Sequence, residues 1–308
     1  MIKKFIKSGL LFITEKQYRT KILAWLGMYD NLSDEDYIKK MYYCYFGRKI
    51  DLNNPKTFNE KLQWLKLNDR RSEYTSLVDK YEMKKIVSEQ IGEKYVVPTY
   101  GVWDSFEKID FSLLPDRFVL KTTHDSGGVV ICKNKDTFDL KKAKGILNHS
   151  LKNNYYKHTR EWPYRNVKPR IIAEKFLGKD NEEIDDYKVH CFNGEPKITL
   201  VCSDRYATTG LTEDFYDNDW NHLKIKRPGV SNSTKLHAKP VNFDEMLSIS
   251  KILSKNHPFI RVDFYLVDNR LYLGELTFYP AGGFDGYEPE EYDMILGKWL
   301  DLSNYRGK

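Results

Sequence analysis

Residues 261–278 have the sequence RVDFYLVDNRLYLGELTF, in which polar and apolar side chains alternate on both sides of a polar turn. Such alternation predicts two antiparallel strands joined in a hairpin. If the loop has three residues, 268–270, the pairing is symmetric and places Asp263 directly opposite Glu275. Opposed carboxylates repel each other unless a cation lies between them, and a pair of hard oxygen donors suits Mg²⁺. The hairpin therefore predicts a magnesium site.

The same register places Arg261 opposite Thr277, on the face that carries the two acids, while apolar side chains occupy the other face. A simpler interpretation stays open at this point, because Arg261 would also pair with an exposed acid on an ordinary solvated sheet. Directly after the hairpin comes the small-residue loop Tyr279–Phe284, which includes Gly282 and Gly283. Small residues let backbone N–H groups approach a ligand closely, so this loop is a candidate oxyanion site.

A second hairpin is predicted earlier in the chain, where strands at 117–123 and 129–132 flank a tip rich in glycine and hydroxyl groups. Lys121 lies at the end of the first strand, and Ser126, Gly127 and Gly128 belong to the tip. Backbone amides in such a tip can bind phosphate oxygens while the lysine supplies a positive charge. An ordinary tight Gly-Gly hairpin is the structural alternative, and the segment matches neither the P-loop nor the dinucleotide glycine pattern.

The rest of the 308 residues divides into a helical part, residues 1–95, and a mixed part. Ser33 is predicted to begin a helix, Asn54-Pro55 to interrupt the pattern, and residues 59–68 to form another helix. From residue 95 onward, strands and helices mix in an order that favours α+β lobes over a doubly wound sheet. The predicted strands are 95–97, 117–123, 129–132, 170–176, 187–192, 196–202, 259–267 and 270–278, with helices at 140–152 and 243–256.

Composition excludes several classes of protein. The net charge of +6 is spread thinly, so a dedicated nucleic-acid binder is not expected. No stretch is apolar enough to span a bilayer or to act as a secretory signal, which predicts a cytoplasmic protein. The four cysteines and seven histidines lie too far apart to predict a disulfide or a zinc site. Residues 2–26 are basic and amphipathic, so they form either a peripheral membrane contact or a helix packed on its own domain.

Taken in order, these motifs resemble those of the ATP-grasp superfamily, and the ordered set is more specific than any one of them. Within the superfamily the chain is most similar to the TupA-like group, named for teichuronopeptide synthesis, whose members tend to lie with cell-surface polysaccharide genes. The superfamily segments are 79–84, 95–98, 118–131, 171–178, 186–189, 261–263 and 275–277, and the closer similarity lies in 54–64, 186–188 and 191–194.

The resemblance implies an α+β ATP-grasp fold, in which two α+β lobes clasp ATP behind a helical N-terminal region. The implied parts are residues 1–95 for the helical region, 96–180 for the small lobe and 181–308 for the large lobe. It also implies that Mg²⁺ is held by Asp263 and Glu275. Thr277 departs from the superfamily pattern, which has Asn there, and its hydroxyl is expected to ligate the metal or to orient a water bound to it.

The remaining site residues follow from the same resemblance. For the phosphates of ATP, it implies that Lys121 and Lys188 bind phosphate oxygens and that Ser126, Gly127 and Gly128 cover them. For the nucleoside, it implies that Glu174 and the backbone near Leu177 bind adenine. One of residues 180–186, Asp186 among them, is implied to bind the ribose. The implied catalytic residues are Arg261, Gly282 and Gly283 at the tetrahedral oxyanion, and Arg205 at the acceptor's carboxylate or the migrating phosphoryl group.

The activity implied is ATP-dependent joining of a carboxylate to an amine through an acyl phosphate, because a carboxylate cannot expel hydroxide at neutral pH. The expected partners are a hexuronic acid of a surface glycan or its precursor and an amino acid. Two other functions stay open. Asp217 and Asp219 form an Asp-x-Asp triplet, which would suit a glycosyltransferase that binds a nucleotide sugar through a metal, and the same metal face would serve a sugar kinase.

Overall fold

The computed structural model describes residues 12, 14–178, 184–204 and 210–305. It contains two antiparallel sheets, a four-stranded small sheet ordered β1-β4-β2-β3 and a six-stranded large sheet ordered β10-β9-β5-β6-β7-β8. The small sheet comprises β1 (Thr99–Trp103), β2 (Phe118–Thr122), β3 (Val129–Cys132) and β4 (Ile171–Lys175). The large sheet comprises β5 (Asp186–Phe192), β6 (Glu195–Ser203), β7 (Thr212–Asp217), β8 (His222–Leu223), β9 (Phe259–Val267) and β10 (Arg270–Thr277).

Helices surround both sheets, and two of the N-terminal ones begin at the caps that the sequence indicates. The Ser33 side chain accepts a hydrogen bond from the backbone of Asp36, and Thr57 and Glu60 form a reciprocal capping box. The helices are α1 (Lys16–Trp25), α2 (Asp34–Phe46), α3 (Phe58–Asn68), α4 (Glu73–Val78), α5 (Glu82–Ile91), α6 (Leu140–Leu151), α7 (Tyr155–Thr159), α8 (Phe243–Ser254) and α9 (Glu291–Trp299).

The two sheets have separate hydrophobic cores, which makes them two lobes. The core of the small lobe packs Phe118 and Leu120 of β2 against Leu147 of α6. The core of the large lobe includes side chains from α3, α4 and α5 together with those of the large sheet. Helices α3, α4 and α5 are therefore packed on the large lobe, whereas α1 and α2 form a small hydrophobic cluster of their own with Phe284.

The β9–β10 hairpin pairs Asp263 with Glu275 as predicted, but its loop length differs from the prediction and it contains a bulge. The loop is the two-residue turn Asp268-Asn269, with both residues in the left-handed region, so the three-residue loop was wrong. A β-bulge at Gly274 then inserts one residue into β10 and restores Asp263 opposite Glu275. Only glycine fits the bulge, since a Cβ there would lie 2.9 Å from the Tyr265 ring. Without the bulge, Glu275 would face Val262 and point to the apolar side.

Most other predicted elements agree with the structure to within two residues at each end, and two regions differ. The predicted strand at 95–97 is instead the end of a 3₁₀ turn, Glu93–Tyr95, that follows the positive φ of Gly92, and β1 begins only after Pro98. Strand β7 was not predicted because its sequence is rich in acids. Its Glu213 and Asp214 are nevertheless buried, since Arg227 and His222 pair with them.

The structure also bears on three expectations from composition. The four cysteines are buried and free, as predicted. No helix in the described part of the chain is long and apolar enough to cross a membrane. Of the basic segment 2–26, residues 2–11 and 13 lie outside the described residues. Helix α1 covers 16–25 and packs on α2, with Ala24 buried.

Candidate functional site

The acid face of the large sheet is formed by β5, β9 and β10, which place Lys188, Asp263 and Glu275 side by side. Asp263 is 4% exposed and pairs with two cations. Arg261 donates to its carboxylate through Nε and Nη2 at 2.7 and 2.6 Å, and Lys188 Nζ donates to the same carboxylate at 2.6 Å. Glu275, which is 38% exposed, lies 3.3 Å from the same guanidinium. Arg261 also donates to the Thr277 hydroxyl at 3.2 Å. The predicted metal residues are thus brought together around Arg261.

The side chains of Asp263 and Arg261 stabilise each other in their ionised forms. Burial disfavours ionised Asp263, but Arg261 and Lys188 outweigh burial and move its pKa well below the ordinary range. Burial likewise opposes charged Arg261, and the neighbouring carboxylates raise its pKa nonetheless. The interpretation of Arg261 as a partner of an exposed acid on a solvated face is wrong for Asp263, because this carboxylate is buried and doubly paired. Such a pair is strongly destabilised if one partner is removed.

The donors on this face fit Mg²⁺ as that ion is usually bound. Mg²⁺ is commonly held by one or two carboxylates and completes its shell with water and phosphate oxygens. Glu275 is half-open to solvent, and Thr277 supplies a hydroxyl beside it. Within the described residues there is no group of three or more His, Cys, Asp or Glu side chains that would bind a cation alone. A cation at this face would complete its shell with water or with oxygen atoms of a ligand.

The small sheet presents lysines toward the same space. Glu174 on β4 is buried, and its two carboxylate oxygens bind Lys84 of α5 at 2.6 Å and Lys121 of β2 at 2.8 Å. Burial opposes the charge of Glu174, but the two lysines lower its pKa to about 2. Lys80 lies close by, and burial lowers its pKa while Glu275, Asp125 and Glu174 partly offset that effect. Glu174, implied as an adenine contact, thus anchors two lysines.

The two sheets meet at these side chains. Lys121 Nζ lies 5.9 Å from the centre of the Tyr265 ring on β9, and its charge interacts with Glu275. Lysines from the small lobe therefore face carboxylates from the large lobe. Sequence reasoning did not include Lys80 or Lys84 among the site residues, although both lie in the segment 79–84 that carried the resemblance. Their burial beside Glu174 needs the folded structure to be seen.

The tip of the β2–β3 hairpin is built around Asp125. Its carboxylate accepts hydrogen bonds from the hydroxyls of Thr122 and Ser150 and from the Gly128 amide at 3.2 Å. Gly128 is buried against those hydroxyls and its amide donates to Asp125, while its role at phosphate stays a prediction. Ser126 and Gly127 are exposed at the tip and remain available to a ligand.

The small-residue loop after β10 is held by α3. Gln63 Nε2 donates to the carbonyl oxygens of Gly282 and Gly283 at 3.0 and 2.6 Å, and Lys66 Nζ donates to Gly282 O at 2.5 Å. Both glycines have positive φ, and the Gly282 amide donates to Tyr279 O at 2.8 Å. In the structure the Gly282 amide closes the turn, and its use as an oxyanion donor stays a prediction.

A buried acid that sequence reasoning missed lies next to this loop. Glu161 is 2% exposed and follows α7. Burial raises its pKa to about 7, and Lys66 and Thr159 only partly offset that effect. Burial lowers the pKa of Lys66 to about 7 in turn. Nothing in the surrounding sequence marks Glu161, which has no motif around it; only the folded structure places it against the acid face.

A family model described as TupA-like ATPgrasp matches residues 60–301. The chain belongs to the TupA-like ATP-grasp family. The match runs from α3 to the end of α9 and so includes both sheets. It agrees with the fold class predicted from the sequence, two α+β lobes with helices before them.

Similar solved structures are ATP-grasp enzymes at low identity. They include the D-alanine–D-alanine ligase of Helicobacter pylori, with 15% identity, 73% of this chain and 61% of that chain covered, and a TM-score of 0.37. The Bacillus anthracis D-alanine–D-alanine ligase complexed with ATP is 18% identical, with 66% of this chain and 55% of that chain covered and a TM-score of 0.39. The ligase PsnB complexed with a precursor variant, Mg and ADP is 10% identical, with 79% of this chain and 65% of that chain covered and a TM-score of 0.40. The chain spans less than two thirds of each of these proteins. No curated protein matches the chain.

The segment 54–64, which carried the closer similarity to this TupA-like family, has a clear structural role. It caps and begins α3, and α3 supplies Gln63 to the Gly282–Gly283 carbonyls. Asn59 fixes the same helix to α9 through the Asp293 carboxylate, at 2.9 Å from both its backbone and its side-chain nitrogen. The segment therefore positions the loop that borders the acid face.

Asp186 borders this centre beside Lys188, and the other predicted residues lie elsewhere or outside the described residues. Asp186 lies 3.5 Å from Lys188 at the start of β5, and Leu177 is half-buried just after β4. Arg205 and residues 180–183 lie outside the described residues. Asp217 caps a turn, because its carboxylate accepts from the backbone amides of Asp219 and Asn221. That structural role does not favour the Asp-x-Asp interpretation.

Proposed function

We propose that the chain is an ATP-dependent carboxylate–amine ligase that activates its acid substrate as an acyl phosphate. ATP-grasp enzymes have this activity as a class, which supports the proposal. The observation that carries it is the meeting of opposite charges between the sheets: the charges of Lys121 and Lys80 interact with that of Glu275, which lies opposite Asp263. This arrangement suits a polyphosphate on the lysine side and its metal counter-ion on the acid side.

In this proposal the phosphates of ATP lie between the lobes. Lys121 and Lys188 neutralise phosphate oxygens, and Asp263, Glu275 and Thr277 hold Mg²⁺, which would offset charge on the transferring phosphoryl group. Lys188 and Arg261 now share Asp263, so a bound ligand would take over some of these contacts. Ser126 and Gly127, exposed at the hairpin tip, would cover the phosphates, while Glu174 would keep Lys84 and Lys121 in place.

Arg261 is the proposed donor to the oxyanion of the tetrahedral species, since its guanidinium is buried and fixed by Asp263 before any ligand binds. A preorganised donor of this kind is typically worth roughly 3–4 kcal/mol of barrier. Gly283 completes the loop beside it, and Arg205 is proposed to bind the acceptor's carboxylate or the migrating phosphoryl group.

The acid substrate is proposed to be a hexuronic acid of a cell-surface polysaccharide or its precursor, and the amine an amino acid. Membership of the TupA-like family supports this choice, because the family takes its name from teichuronopeptide, in which amino-acid units are joined to a uronic acid polymer. The 22 tyrosines and 6 tryptophans are compatible with sugar stacking.

The test is a coupled assay with mass spectrometry of the products. ATP and Mg²⁺ are supplied with glucuronic and galacturonic acid, free and as short oligomers, and with a mixture of the 20 amino acids. The proposal expects ADP release that requires both acid and amine, together with a product heavier than the acid by one amino acid less water. ADP release that needs no amine would indicate a sugar kinase instead, and no ADP release with any pair would remove the uronic-acid assignment.

A further inference from the structure

Glu161 is a buried carboxylate with a free acceptor position. Its Oε1 has no hydrogen-bond partner among the described residues. Leaving a buried charged group unsatisfied costs about 1–3 kcal/mol or more, so buried acids are normally paired. The neighbouring cation does not pair with it, because Lys66 Nζ donates instead to the carbonyl oxygens of Thr159 and Gly282 at 2.7 and 2.5 Å.

Charged and titratable groups converge on Glu161 from every element that packs around it. The groups whose charges interact with it are Lys66 on α3, Tyr155 on α7, Tyr164 in the 3₁₀ turn Trp162–Asn166, Arg261 on β9, Glu275 on β10 and Tyr279 after β10. Tyr155 in addition faces the Ser126 hydroxyl at the hairpin tip. Glu161 therefore lies where the hairpin tip, the acid face and the Gly282–Gly283 loop come together.

The free oxygen suits a cationic hydrogen-bond donor. The rings of Tyr155 and Tyr164 pack edge to face at 4.8 Å beside it, which leaves an aromatic wall next to a negative acceptor. A primary ammonium offers three N–H donors in a compact charge and fits such a site better than a phosphate or a carboxylate, which Glu161 would repel. The proposed reaction has one substrate of this kind, the amine.

We propose that Glu161 binds the ammonium of the acceptor amine and accepts its proton. This inference rests on the proposed ligase function. In the step, an N–H bond of the ammonium breaks and its proton goes to the Glu161 carboxylate. The freed nitrogen lone pair forms the C–N bond to the acyl carbon, the C–O bond to the phosphoryl group breaks, and phosphate leaves with that electron pair. The departing phosphate takes the second proton from the nitrogen, which leaves a neutral amide.

The electrostatics of the site support a role in proton transfer. A general base works best when its pKa lies near the working pH, and burial brings the pKa of Glu161 to about 7. Lys66 is a positioning residue here: its two carbonyl contacts fix it beside Glu161 without neutralising the carboxylate directly. Ionisation of Glu161 is needed for activity, so the rate is expected to fall as the pH decreases below about 7.

The experiment compares two nucleophiles on the full-length wild type and on Glu161→Gln. The acids are those of the screen above, and the nucleophiles are the amino-acid mixture and hydroxylamine, which is largely unprotonated at neutral pH and needs no base. We expect Glu161→Gln to lower amide formation by about 10²-fold or more, to raise the KM for the amine and to lose the acid limb of the pH profile. Hydroxamate formation should stay within a few-fold of wild type.

Controls separate this inference from the ligase proposal itself. Glu60→Gln is the matched variant, since Glu60 is also buried and Gln preserves its capping box, and we expect unchanged rates. Full amide activity in Glu161→Gln, or equal loss of amide and hydroxamate, would overturn the role of Glu161 while leaving the ligase in place. A wild type that forms neither product would overturn both proposals together.

Discussion

Asp263 and Glu275 face each other across β9 and β10, and one guanidinium nitrogen of Arg261 lies between them, 2.6 Å from the first carboxylate and 3.3 Å from the second. The two acids differ in what they do for the fold. Asp263 is buried under two cations, whereas Glu275 is partly open to solvent. Substitutions at these two positions should therefore separate stability from activity.

Glu275→Gln should lower ATP-dependent activity strongly while changing the free energy of unfolding by less than about 1 kcal/mol. Glu275 is partly open to solvent, and Arg261 keeps its closer pairing with Asp263 in this variant. Asp263→Asn should also lose activity but should destabilise the protein by about 3–5 kcal/mol, since it leaves Arg261 and Lys188 buried without their shared acid. Urea unfolding and an ADP-release assay on both variants check this. Equal destabilisation by the two substitutions would contradict it.

Glu174 should stabilise the small lobe in a pH-dependent manner. Its pKa is about 2 in the folded protein and near 4.5 when unfolded, so its stabilising contribution is complete above pH 4.5 and is lost as the pH falls toward 2. The shift corresponds to about 3 kcal/mol. The difference in unfolding free energy between wild type and Glu174→Gln should shrink over that range. Glu107 is exposed and its ion pair with Lys144 is screened by water, so Glu107→Gln should show a much smaller loss over the same range.

Adjacent glycines at the hairpin tip should respond differently to alanine. A Cβ at Gly128 would lie 2.1 Å from Thr122 Oγ1 and 2.3 Å from Ser150 Oγ, whereas nothing lies within 4 Å of one at Gly127. Gly128→Ala should therefore cost about 1–3 kcal/mol of stability, and Gly127→Ala should leave stability unchanged. Thermal unfolding of the two variants measures this, and a similar melting temperature for both would count against the described packing around Asp125.

Glu161 and Lys66 should give opposite pH dependences of stability. Folding raises the pKa of Glu161 from 4.5 to about 7, so the folded state binds more protons and this contribution to stability falls between those values. Folding lowers the pKa of Lys66 from 10.5 to about 7, so its contribution rises between pH 7 and 10.5. Glu161→Gln should remove the first trend and Lys66→Met the second, as measured by urea unfolding across pH. If both trends persist in both variants, other groups cause them.

The acid face was predictable from the sequence because strand alternation fixes which side chains share a face. The loop length and the bulge that produce this register were not predictable. The two-residue turn at Asp268-Asn269 shifts the register by one residue, and the bulge at Gly274 shifts it back. Backbone amides were also beyond sequence reasoning: the Gly128 and Gly282 N–H groups are taken by Asp125 and by Tyr279 O. A glycine pattern shows where the chain bends closely but not where each amide points.

Lys84 and Glu161 illustrate a second limit. Lys84 lies in a segment that resembles the family, yet its pairing with Glu174 depends on where α5, which packs on the large lobe, lies relative to β4. Glu161 interacts electrostatically with Lys66, Arg261 and Glu275, which belong to segments far apart in the chain. Isolated acids and lysines are abundant in this sequence, so burial is what distinguishes these two.

Titration calorimetry of ATP, with and without Mg²⁺, tests the central claim most directly. The wild type should bind ATP more tightly with Mg²⁺ than without it, and Glu275→Gln should lose most of that Mg²⁺-dependent gain while still binding ATP weakly. UDP with Mn²⁺ should bind the wild type less tightly than ATP with Mg²⁺. An unchanged gain in Glu275→Gln, or tighter binding of UDP with Mn²⁺, would contradict the account.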